Sequence, residues 1–295
     1  MPCYHPLDAW HHGSGGVSFS KSHGASRYLS LPCGQCIGCR LDRSVNWACR
    51  IMHESRMHEV SSFVTLTYKD ECIPYGDTLH YPHFQDFMKS LRHKLAPKKV
   101  RFFMCGEYGE TTRRPHYHVA LFGCGFQGDR YPWRMSSAGF QLYRSPLLEQ
   151  LWDFGNAEIG DLSFESAAYV ARYCTKKITG DKADAHYAKL VPDTGEIVQC
   201  VPEFARMSLK PGIGGDWWSK YRQDYYWRDY CIMEGRQVPL PRYYRNQMSE
   251  AELKVHESVR FEKFKNMDFD DDVDRLRVRE VVARARLSFN KRSLE

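Results

Sequence analysis

Two histidines separated by one residue are the first feature of this sequence that could do chemistry. His116 and His118 lie in the apolar run Pro115–Phe122, which is rich in residues that favour strands. On a strand, residues i and i+2 point to the same face, so the two imidazoles would lie side by side. Such a pair can bind one divalent ion and leave positions open for a substrate. The alternative is a chance pair of surface histidines, since the chain has 13 His.

A carboxylate near the pair supplies a third candidate ligand. Glu107 follows the strand-like run 100–106, and a hairpin to the next run would bring it beside His116. Two imidazoles and one carboxylate suit Mg²⁺ or Mn²⁺ when phosphate oxygens complete the coordination. Glu110 competes for this role and ranks lower. Two other histidine motifs are absent: position 120 is Ala, which excludes His-x-His-x-His, and no His-Glu-x-x-His occurs.

Two tyrosines and a lysine recur at every fourth position of the segment 164–178, which has the pattern of a helix. Tyr169, Tyr173 and Lys177 would lie on one side of it, opposite an apolar stripe, with about 6 Å between successive members. An activated tyrosine can form a covalent intermediate, and a metal ion or a nearby ammonium favours its phenolate. Tyrosines at this spacing are more often packing residues. The helix alone therefore leaves both interpretations open.

A cluster of cysteines near the N-terminus predicts a second metal site. Cys33, Cys36 and Cys39 form a compact Cys-x-x-Cys-x-x-Cys knuckle flanked by glycines. A fourth thiolate would complete a tetrahedral structural Zn²⁺ site, and Cys3 is favoured because it would tie down residues 4–30. Cys49 and His5 are the alternatives for that position. An iron–sulfur cluster is a further possibility, although the Cys-Pro ending of ferredoxin motifs is absent.

The elements that must position these residues predict an α+β fold with a central antiparallel sheet and flanking helices. The β-branched run 63–68, the run 100–106 and the histidine run read as strands, and 83–91 reads as an amphipathic helix. A strand, a helix and then a hairpin favour an antiparallel centre. We predict three segments: a cysteine-rich N-terminal segment 1–58, a catalytic domain 59–245, and a charged helical extension 246–295.

Composition limits the possible functions of the chain. The formal net charge of +6 over 295 residues permits nucleic acid as a partner. The sequence contains no apolar run of 18 residues and no apolar core of a signal peptide, so we expect a non-secreted protein that does not interact with membranes. The 11 Cys fit metal ligands and buried thiols of a reducing compartment better than disulfides.

Basic residues beside aromatic residues predict contacts with single-stranded DNA. Residues 217–245 interleave Trp and Tyr with Arg and Lys, which suits base stacking combined with phosphate binding. Packing of the tryptophans in the core is the simpler interpretation for those residues. The candidate DNA contacts are Arg113, Arg114, Lys176 and Arg222. Arg113 and Arg114 precede the histidine strand, where they could steer a phosphate toward the metal.

Together these motifs resemble the HUH endonucleases, which act on single-stranded DNA elements. The order of a strand at 63–68, the His116–His118 strand and then a helix with paired tyrosines carries the resemblance. Further motifs resemble the gokushovirus branch of the microviruses, namely 33–40 (CGQCIGCR), 106–109 (GEYG), 114–118 (RPHYH) and 211–214 (PGIG). The resemblance spans roughly residues 1–245. Tyr117 stands where the superfamily usually has a bulky apolar residue.

The resemblance implies a replication-initiator fold and a rolling-circle mechanism. A metal held by Glu107, His116 and His118 would polarise one phosphate, and Tyr169 or Tyr173 would attack it. A 5′-phosphotyrosyl enzyme and a free 3′-hydroxyl would result, and the second tyrosine would act after one round of synthesis. Lys177 or Lys176 would stabilise charge on the phosphate or phenolate. The protein would work in the host bacterial cytoplasm on a single-stranded origin.

The sequence also leads us to expect help from host proteins, and it leaves two alternative functions open. The sequence has no Gly-x₄-Gly-Lys-Ser/Thr loop, so we expect a host helicase to separate strands and a host polymerase to extend the 3′ end. A transposase or plasmid relaxase of the same superfamily is one alternative. A non-catalytic, zinc-binding nucleic-acid protein, with structural histidines, is the other.

Overall fold

The structure of the protein is a computed structural model that describes residues 3–12, 15–21, 25–109, 111–173, 177–178, 180, 183–265 and 272–289. Its strands are β1 (Leu7–His12), β2 (Val17–Ser18), β3 (Ala25–Leu31), β4 (Ser61–Tyr68), β5 (Arg101–Tyr108), β6 (Pro115–Phe122), β7 (Tyr131–Met135), β8 (Gln141–Arg144), β9 (Gly155–Asp161), β10 (Ala188–Leu190), β11 (Ile197–Gln199), β12 (Phe204–Met207), β13 (Tyr230–Met233) and β14 (Arg236–Pro239). Its α-helices are α1 (Ile37–Ser55), α2 (Tyr81–Leu95), α3 (Pro146–Leu151), α4 (Phe164–Tyr173), α5 (Ala183–Tyr187), α6 (Gly215–Tyr221), α7 (Arg242–Arg245), α8 (Glu250–Lys265) and α9 (Val273–Phe289).

A seven-stranded antiparallel sheet positions the candidate site. Its strand order is β12-β5-β6-β4-β9-β8-β7, so the histidine strand β6 lies between β5 and β4. Every residue of β6 is buried, because it is an inner strand with both faces covered. The mixed α+β architecture with a large antiparallel sheet and flanking helices confirms that part of the predicted fold class.

One face of this sheet packs against α2 and α3. Alternate residues of β4 and β6, such as Leu66, Tyr117 and Val119, form a core cluster with four apolar residues of α2: Phe84, Phe87, Met88 and Leu91. These four α2 positions follow the helical i, i+3, i+4, i+7 pattern read from the sequence. Burial of each such large side chain stabilises the fold by roughly 1.5–3 kcal/mol.

The opposite face of the sheet is apolar at one end of its strands and polar at the other. At one end, Phe63, Phe103, Ala120 and Phe122 pack with α1 and α4. Two residues further along β6, the same face carries His118 and then His116. The apolar half anchors the helices, and the polar half forms the candidate site.

The described residues divide into two compact units. One comprises Met1–Arg43 with Glu262–Arg292, and the other comprises Ser44–Phe261. In the first unit, β1 pairs with β2 and β3, and Tyr4 and Cys36 pack with Leu276 of α9. These boundaries differ from the predicted 1–58, 59–245 and 246–295, because long-range contacts link the N-terminal segment with α9. Among the described residues, no helix is long and apolar enough to span a membrane.

Candidate metal and tyrosine centre

The strand register brings the three predicted divalent-metal ligands together. Glu107 on β5 pairs directly with His116 on β6, and His118 lies one step along the same face. Glu107 Oε1 is 2.8 Å from Nε2 of His116 and 2.8 Å from Nε2 of His118. The three residues are only 1%, 6% and 2% exposed, in the order Glu107, His116, His118. Glu107 lies within β5, which extends to Tyr108 and beyond the predicted end of the strand.

Hydrogen bonds on the other side of each imidazole fix its orientation. Nδ1 of His116 donates to the carbonyl oxygen of Arg114 at 3.1 Å, and Nδ1 of His118 pairs with the Thr65 hydroxyl at 3.0 Å. Both rings therefore direct Nε2 toward the same carboxylate. Partners of this kind set the tautomer and increase the basicity of a ligating histidine.

The electrostatics of Glu107 suit a bound cation. Burial alone would raise its pKa, but the charge of His118 and hydrogen bonds from both imidazoles outweigh burial, so the net pKa is lowered. Its second oxygen, Oε2, is buried and has no hydrogen-bond partner among the described residues. A buried, ionised carboxylate with an unsatisfied oxygen needs a positive partner. Two imidazoles and this carboxylate fit a divalent ion with open positions.

Tyr169 of α4 lies against this cluster. Its ring centroid is 5.1 Å from that of His118, edge to face, and 6.4 Å from that of Phe63. Tyr169 is 7% exposed, and Ala167, Val170 and Ala171 are buried as well. The side of the helix that carries Tyr169 is therefore buried, as are Ala167 and Ala171 of the predicted apolar stripe on the opposite side. The helix packs over a wide arc, because the sheet covers Tyr169 and the Ser44 hydroxyl of α1 reaches the Ala168 carbonyl at 2.8 Å.

The other two members of the predicted row are placed differently. Tyr173 is the last residue of α4, and its side chain lies outside the described residues. Lys177 is exposed and lies beyond the helix, so the predicted helix 164–178 is too long. The amide of Ile178 donates to the Tyr187 hydroxyl at 3.0 Å instead of to a helix carbonyl.

A cleft of about 210 Å³ opens over the polar half of the sheet face. Its lining includes both histidines and four residues that sequence reasoning missed, namely Thr65, Thr67, Arg134 and Glu158. Arg134 Nε donates to Glu158 Oε1 at 2.8 Å. The alternation of Thr65 and Thr67 with apolar residues was a usable signal, because polar residues at every second position mark one strand face. No comparable signal linked Arg134 to Glu158.

The predicted DNA contacts do not all lie at the same place in the structure. Arg114 lines the cleft, donates to the Tyr68 carbonyl at 2.6 Å and pairs with Asp70 at 2.6 Å. Arg113 is oriented toward His186, 3.3 Å away, and Arg222 toward Glu252, 3.6 Å away. Lys176 lies outside the described residues. Only Arg114 of the described three therefore contributes to the cleft.

The aromatic segment is mainly core, as the simpler interpretation expects. Trp217, Trp218 and Tyr244 form a buried cluster. Trp227 is the exception among these tryptophans, since it is 44% exposed and packs against the Arg228 guanidinium at 4.1 Å. This part of the chain therefore offers less stacking surface than its composition predicts.

The cysteine knuckle closes around one point. The sulfurs of Cys3, Cys33, Cys36 and Cys39 lie within 4.8 Å of one another, and the Cys3–Cys36 separation is 3.9 Å. A tetrahedral zinc ion with bonds of about 2.3 Å needs sulfurs about 3.8 Å apart. Backbone amides donate to three of the sulfurs: Cys33 N to Cys3 at 3.2 Å, Cys36 N to Cys33 at 3.3 Å, and Tyr4 N to Cys36 at 3.3 Å. Burial acts to raise the pKa of the Cys36 thiol, but the backbone amides of Cys39 and Tyr4 and the thiols of Cys39 and Cys33 lower it to about 6. The donor set therefore fits structural zinc, with Cys3 in the fourth position.

Comparison with known proteins shows the class of protein to which the chain belongs, namely replication-associated proteins of phages. Residues 61–178, which contain the Glu–His–His cluster and α4, match the family described as "Replication-associated protein ORF2/G2P". The chain is 33% identical over 256 residues to "Replication-associated protein VP4" of Bdellovibrio phage phiMH2K, which covers 83% of this chain and 76% of that protein.

Two further relatives agree. "Replication-associated protein ORF2" of Spiroplasma virus 4 is 32% identical over 74% of this chain and 68% of its own length, and "Replication-associated protein ORF4" of Chlamydia phage 1 is 27% identical over 73% and 53%. This chain belongs to the rolling-circle replication initiators of the microviruses. No solved structure matches the chain.

Proposed function

We propose that this chain cuts one strand of origin DNA by tyrosine attack and rejoins the product strand. The observation that carries the proposal is the contact between the Tyr169 ring and His118, whose imidazole shares Glu107 with His116. A candidate nucleophile thus lies against a candidate metal-binding cluster on one sheet face. The names of the relatives favour an initiator over a transposase or plasmid relaxase.

The residues of the cluster are suited to hold a metal ion, which would replace the hydrogen bonds that Glu107 makes with both imidazoles. Glu107, His116 and His118 would bind Mg²⁺ or Mn²⁺, which supplies positive charge to the scissile phosphate. Thr65 and the Arg114 carbonyl hold the imidazoles in place before any substrate arrives. Such preorganisation lowers the cost of stabilising charge that develops during the reaction.

Cleavage exchanges one phosphodiester for another. The hydroxyl oxygen of Tyr169 or Tyr173 attacks phosphorus, and the bond from phosphorus to the 3′ oxygen breaks. The tyrosine loses its proton and the 3′ oxygen gains one, which leaves a 5′-phosphotyrosyl enzyme and a free 3′-hydroxyl. After synthesis, the second tyrosine attacks the regenerated origin, and the released 3′-hydroxyl displaces the first tyrosine and closes the circle. Lys177 would stabilise phosphate or phenolate charge.

Basic residues would guide the strand into the cleft. Arg114 lines the cleft, and Arg113, Lys176 and Arg222 would add contacts to the DNA backbone that weaken with added salt. The origin in this proposal is single-stranded DNA in the host bacterial cytoplasm. A host helicase would expose it, and a host polymerase would extend the 3′-hydroxyl.

The cysteine knuckle would have a structural role in this scheme. Cys3, Cys33, Cys36 and Cys39 would bind one Zn²⁺, since four thiolates close the coordination sphere and leave no open position for substrate. The knuckle would hold its own unit together while the sheet cluster carries the reaction.

The test incubates the full chain, Mn²⁺ and labelled single-stranded oligonucleotides that tile the phage genome, and resolves covalent adducts on a denaturing gel. We expect an adduct with the wild type and a loss of at least about 100-fold for His118→Ala. The double variant Tyr169→Phe/Tyr173→Phe should form none. The matched control is Tyr75→Phe, because Tyr75 is exposed and bonds to Glu196.

Two outcomes would count against the proposal. Cleavage by the double variant at the wild-type rate would exclude the tyrosine mechanism. DNA binding without cleavage, unchanged in His118→Ala, would favour the non-catalytic zinc-binding alternative. Peptide mapping of the adduct would identify which tyrosine carries the DNA.

A further inference from the structure

A third group of metal-ligating side chains lies in the core, away from both clusters already described. Cys49 and His53 are four residues apart on α1, so they share one face of that helix. Cys231 of β13 approaches the same face. All three side chains are fully buried. The proposed DNA chemistry uses none of them.

Their separations fit one tetrahedral ion. The two sulfurs and one ring nitrogen of His53 lie within 4.8 Å of one another, and Cys49 Sγ is 3.9 Å from His53 Nδ1. Zinc bonds of about 2.3 Å to sulfur and about 2.0–2.1 Å to nitrogen place such a pair about 3.6 Å apart. A small inward movement of the side chains would therefore complete the ligand geometry.

In this core the polar groups have one another and the Tyr244 hydroxyl, 2.9 Å from Nδ1 of His53, as partners. Cys49 and Cys231 share an apolar cluster with Met233 and Val238. The His53 ring stacks on Trp217 with 3.4 Å between ring centroids, and its Nε2 has no hydrogen-bond partner among the described residues. Burial, together with the nearby Arg56, lowers the pKa of His53 to about 2, so its imidazole is neutral and can offer a lone pair.

We propose that Cys49, His53 and Cys231 bind a structural Zn²⁺ ion. Both thiols lose a proton on binding, and the two thiolates then cancel the charge of the ion while His53 remains neutral. A site with zero net charge is the arrangement that an apolar interior tolerates. Nδ1 of His53 is hydrogen-bonded to the Tyr244 hydroxyl at 2.9 Å; the ion would replace this bond, and a shift of the hydroxyl toward the ion would fill the fourth position.

The ion would join elements that are distant in sequence. It would fasten α1 to the β13–β14 hairpin, next to the aromatic cluster of Trp217, Trp218 and Tyr244. Metal binding of this kind contributes directly to folding stability, because the unfolded chain does not present a formed site. The proposal does not depend on DNA cleavage, and it is independent of the cysteine knuckle.

The experiment measures the zinc content of the full-length chain purified without chelators, by elemental mass spectrometry. We expect about two equivalents for the wild type, one for each tetrahedral site. Cys36→Ser removes one equivalent by opening the knuckle, Cys231→Ser removes the other, and the double variant contains none. Cys124→Ser is the matched control, since Cys124 is a buried thiol outside these clusters, and it should keep both equivalents.

A second measurement covers the case in which Cys231→Ser fails to fold. The Cys36→Ser variant, whose core cluster is intact, is titrated with Co²⁺ and examined for thiolate-to-cobalt charge transfer. The site is supported if Cys36→Ser binds cobalt with this absorption and the double variant Cys36→Ser/His53→Gln does not. Absence of the absorption from a folded Cys36→Ser variant overturns the proposal. A Cys49–Cys231 disulfide, detected as two thiols protected from alkylation after denaturation, overturns it as well.

Discussion

At the scale of single residues, the orientation of His118 depends on a threonine that is not itself one of the candidate metal ligands. Thr65 lies directly opposite His118 on β4, and its hydroxyl is 3.0 Å from Nδ1 of that histidine. Replacement Thr65→Val keeps the shape of the side chain and removes this partner. We expect the affinity for Mn²⁺ to fall about 10- to 100-fold, as is usual when a ligating histidine loses its supporting hydrogen bond. Isothermal titration with Mn²⁺ measures the change.

The matched control for this change is Thr65→Ser, which keeps the hydroxyl. The serine variant should retain wild-type affinity within a factor of a few. Equal affinities of the valine and serine variants would mean that the hydroxyl does not position His118.

The site residues differ in how far the sequence could predict them. Spacing alone indicated Glu107, His116 and His118, because strand periodicity and a hairpin determine which side chains meet. Thr67 and Glu158 approach the same cleft through pairing of β4 with its neighbours β6 and β9. The partners of a strand depend on non-local contacts, which a local pattern does not contain. The sequence therefore predicted the residues of one hairpin but missed those of the strands beside it.

At the scale of elements, a buried carboxylate connects helix α1 to the sheet and to a glycine turn. Glu54 of α1 accepts from Arg101 Nε of β5 at 2.6 Å and from the Gly214 amide at 2.7 Å. In the sequence, the turn 211–214 stands out only as a family motif. The hydrogen bond from the Gly214 amide to Glu54 shows that this turn also holds the buried carboxylate of α1 in place.

Replacement Glu54→Gln should destabilise the protein and reduce its sensitivity to acid. Burial acts to raise the pKa of Glu54, but His58, the Gly214 amide and Arg101 outweigh it and lower the pKa below its ordinary value of 4.5. The stabilisation is therefore full above pH about 4.5 and is lost as the pH falls below it. At pH 7 we expect a loss of about 2–3 kcal/mol, typical of a hydrogen-bonded charged group. Urea unfolding at pH 7 and at low pH measures both effects.

The exposed ion pair Asp86–Lys89 provides the control for that experiment. Asp86→Asn should leave the urea midpoint at pH 7 unchanged, because exposed pairs contribute little. A difference between wild type and Glu54→Gln that stays constant down to the lowest pH would contradict the proposed role of the carboxylate.

The same turn contains a position, Gly214, that only glycine can occupy without strain. Gly214 has φ of +78°, and a Cβ there would overlap the Tyr244 hydroxyl and approach the Arg50 carbonyl to 3.3 Å. Gly214→Ala should cost more than about 1 kcal/mol, since both the backbone conformation and the space oppose it. Gly128→Ala, with open space around its Cβ, should change the melting temperature little.

The sequence predicts the central strands of the sheet but not its edge strand β12. The runs of β4, β5 and β6 and the helix α2 were readable, because their periodicity is strong over many residues. The edge strand β12 joins β5 after a separation of about a hundred residues in the chain. Its four residues have no pattern long enough to assign.

At the scale of the whole molecule, contacts between distant parts of the chain define the first unit. His5 lies 2.6 Å from Glu280 of α9, and Tyr4 and Cys36 pack with Leu276. The tail 249–295 has equal numbers of acidic and basic residues, which in the sequence suggested only a solvated helical extension. Charge pattern alone could not reveal that α9 belongs with the cysteine knuckle.

Opening the knuckle should therefore loosen both parts of this unit. In Cys36→Ser, the proposed zinc ion loses one ligand, and the side chain that packs with Tyr4 and Leu276 becomes polar. We expect faster hydrogen exchange in β1, β3 and α9, while β6, buried in the other unit, keeps its protection. Exchange mass spectrometry on the full chain measures this, with Cys124→Ser as the control. Faster exchange confined to residues 33–39, with α9 unchanged, would mean that the knuckle does not support α9.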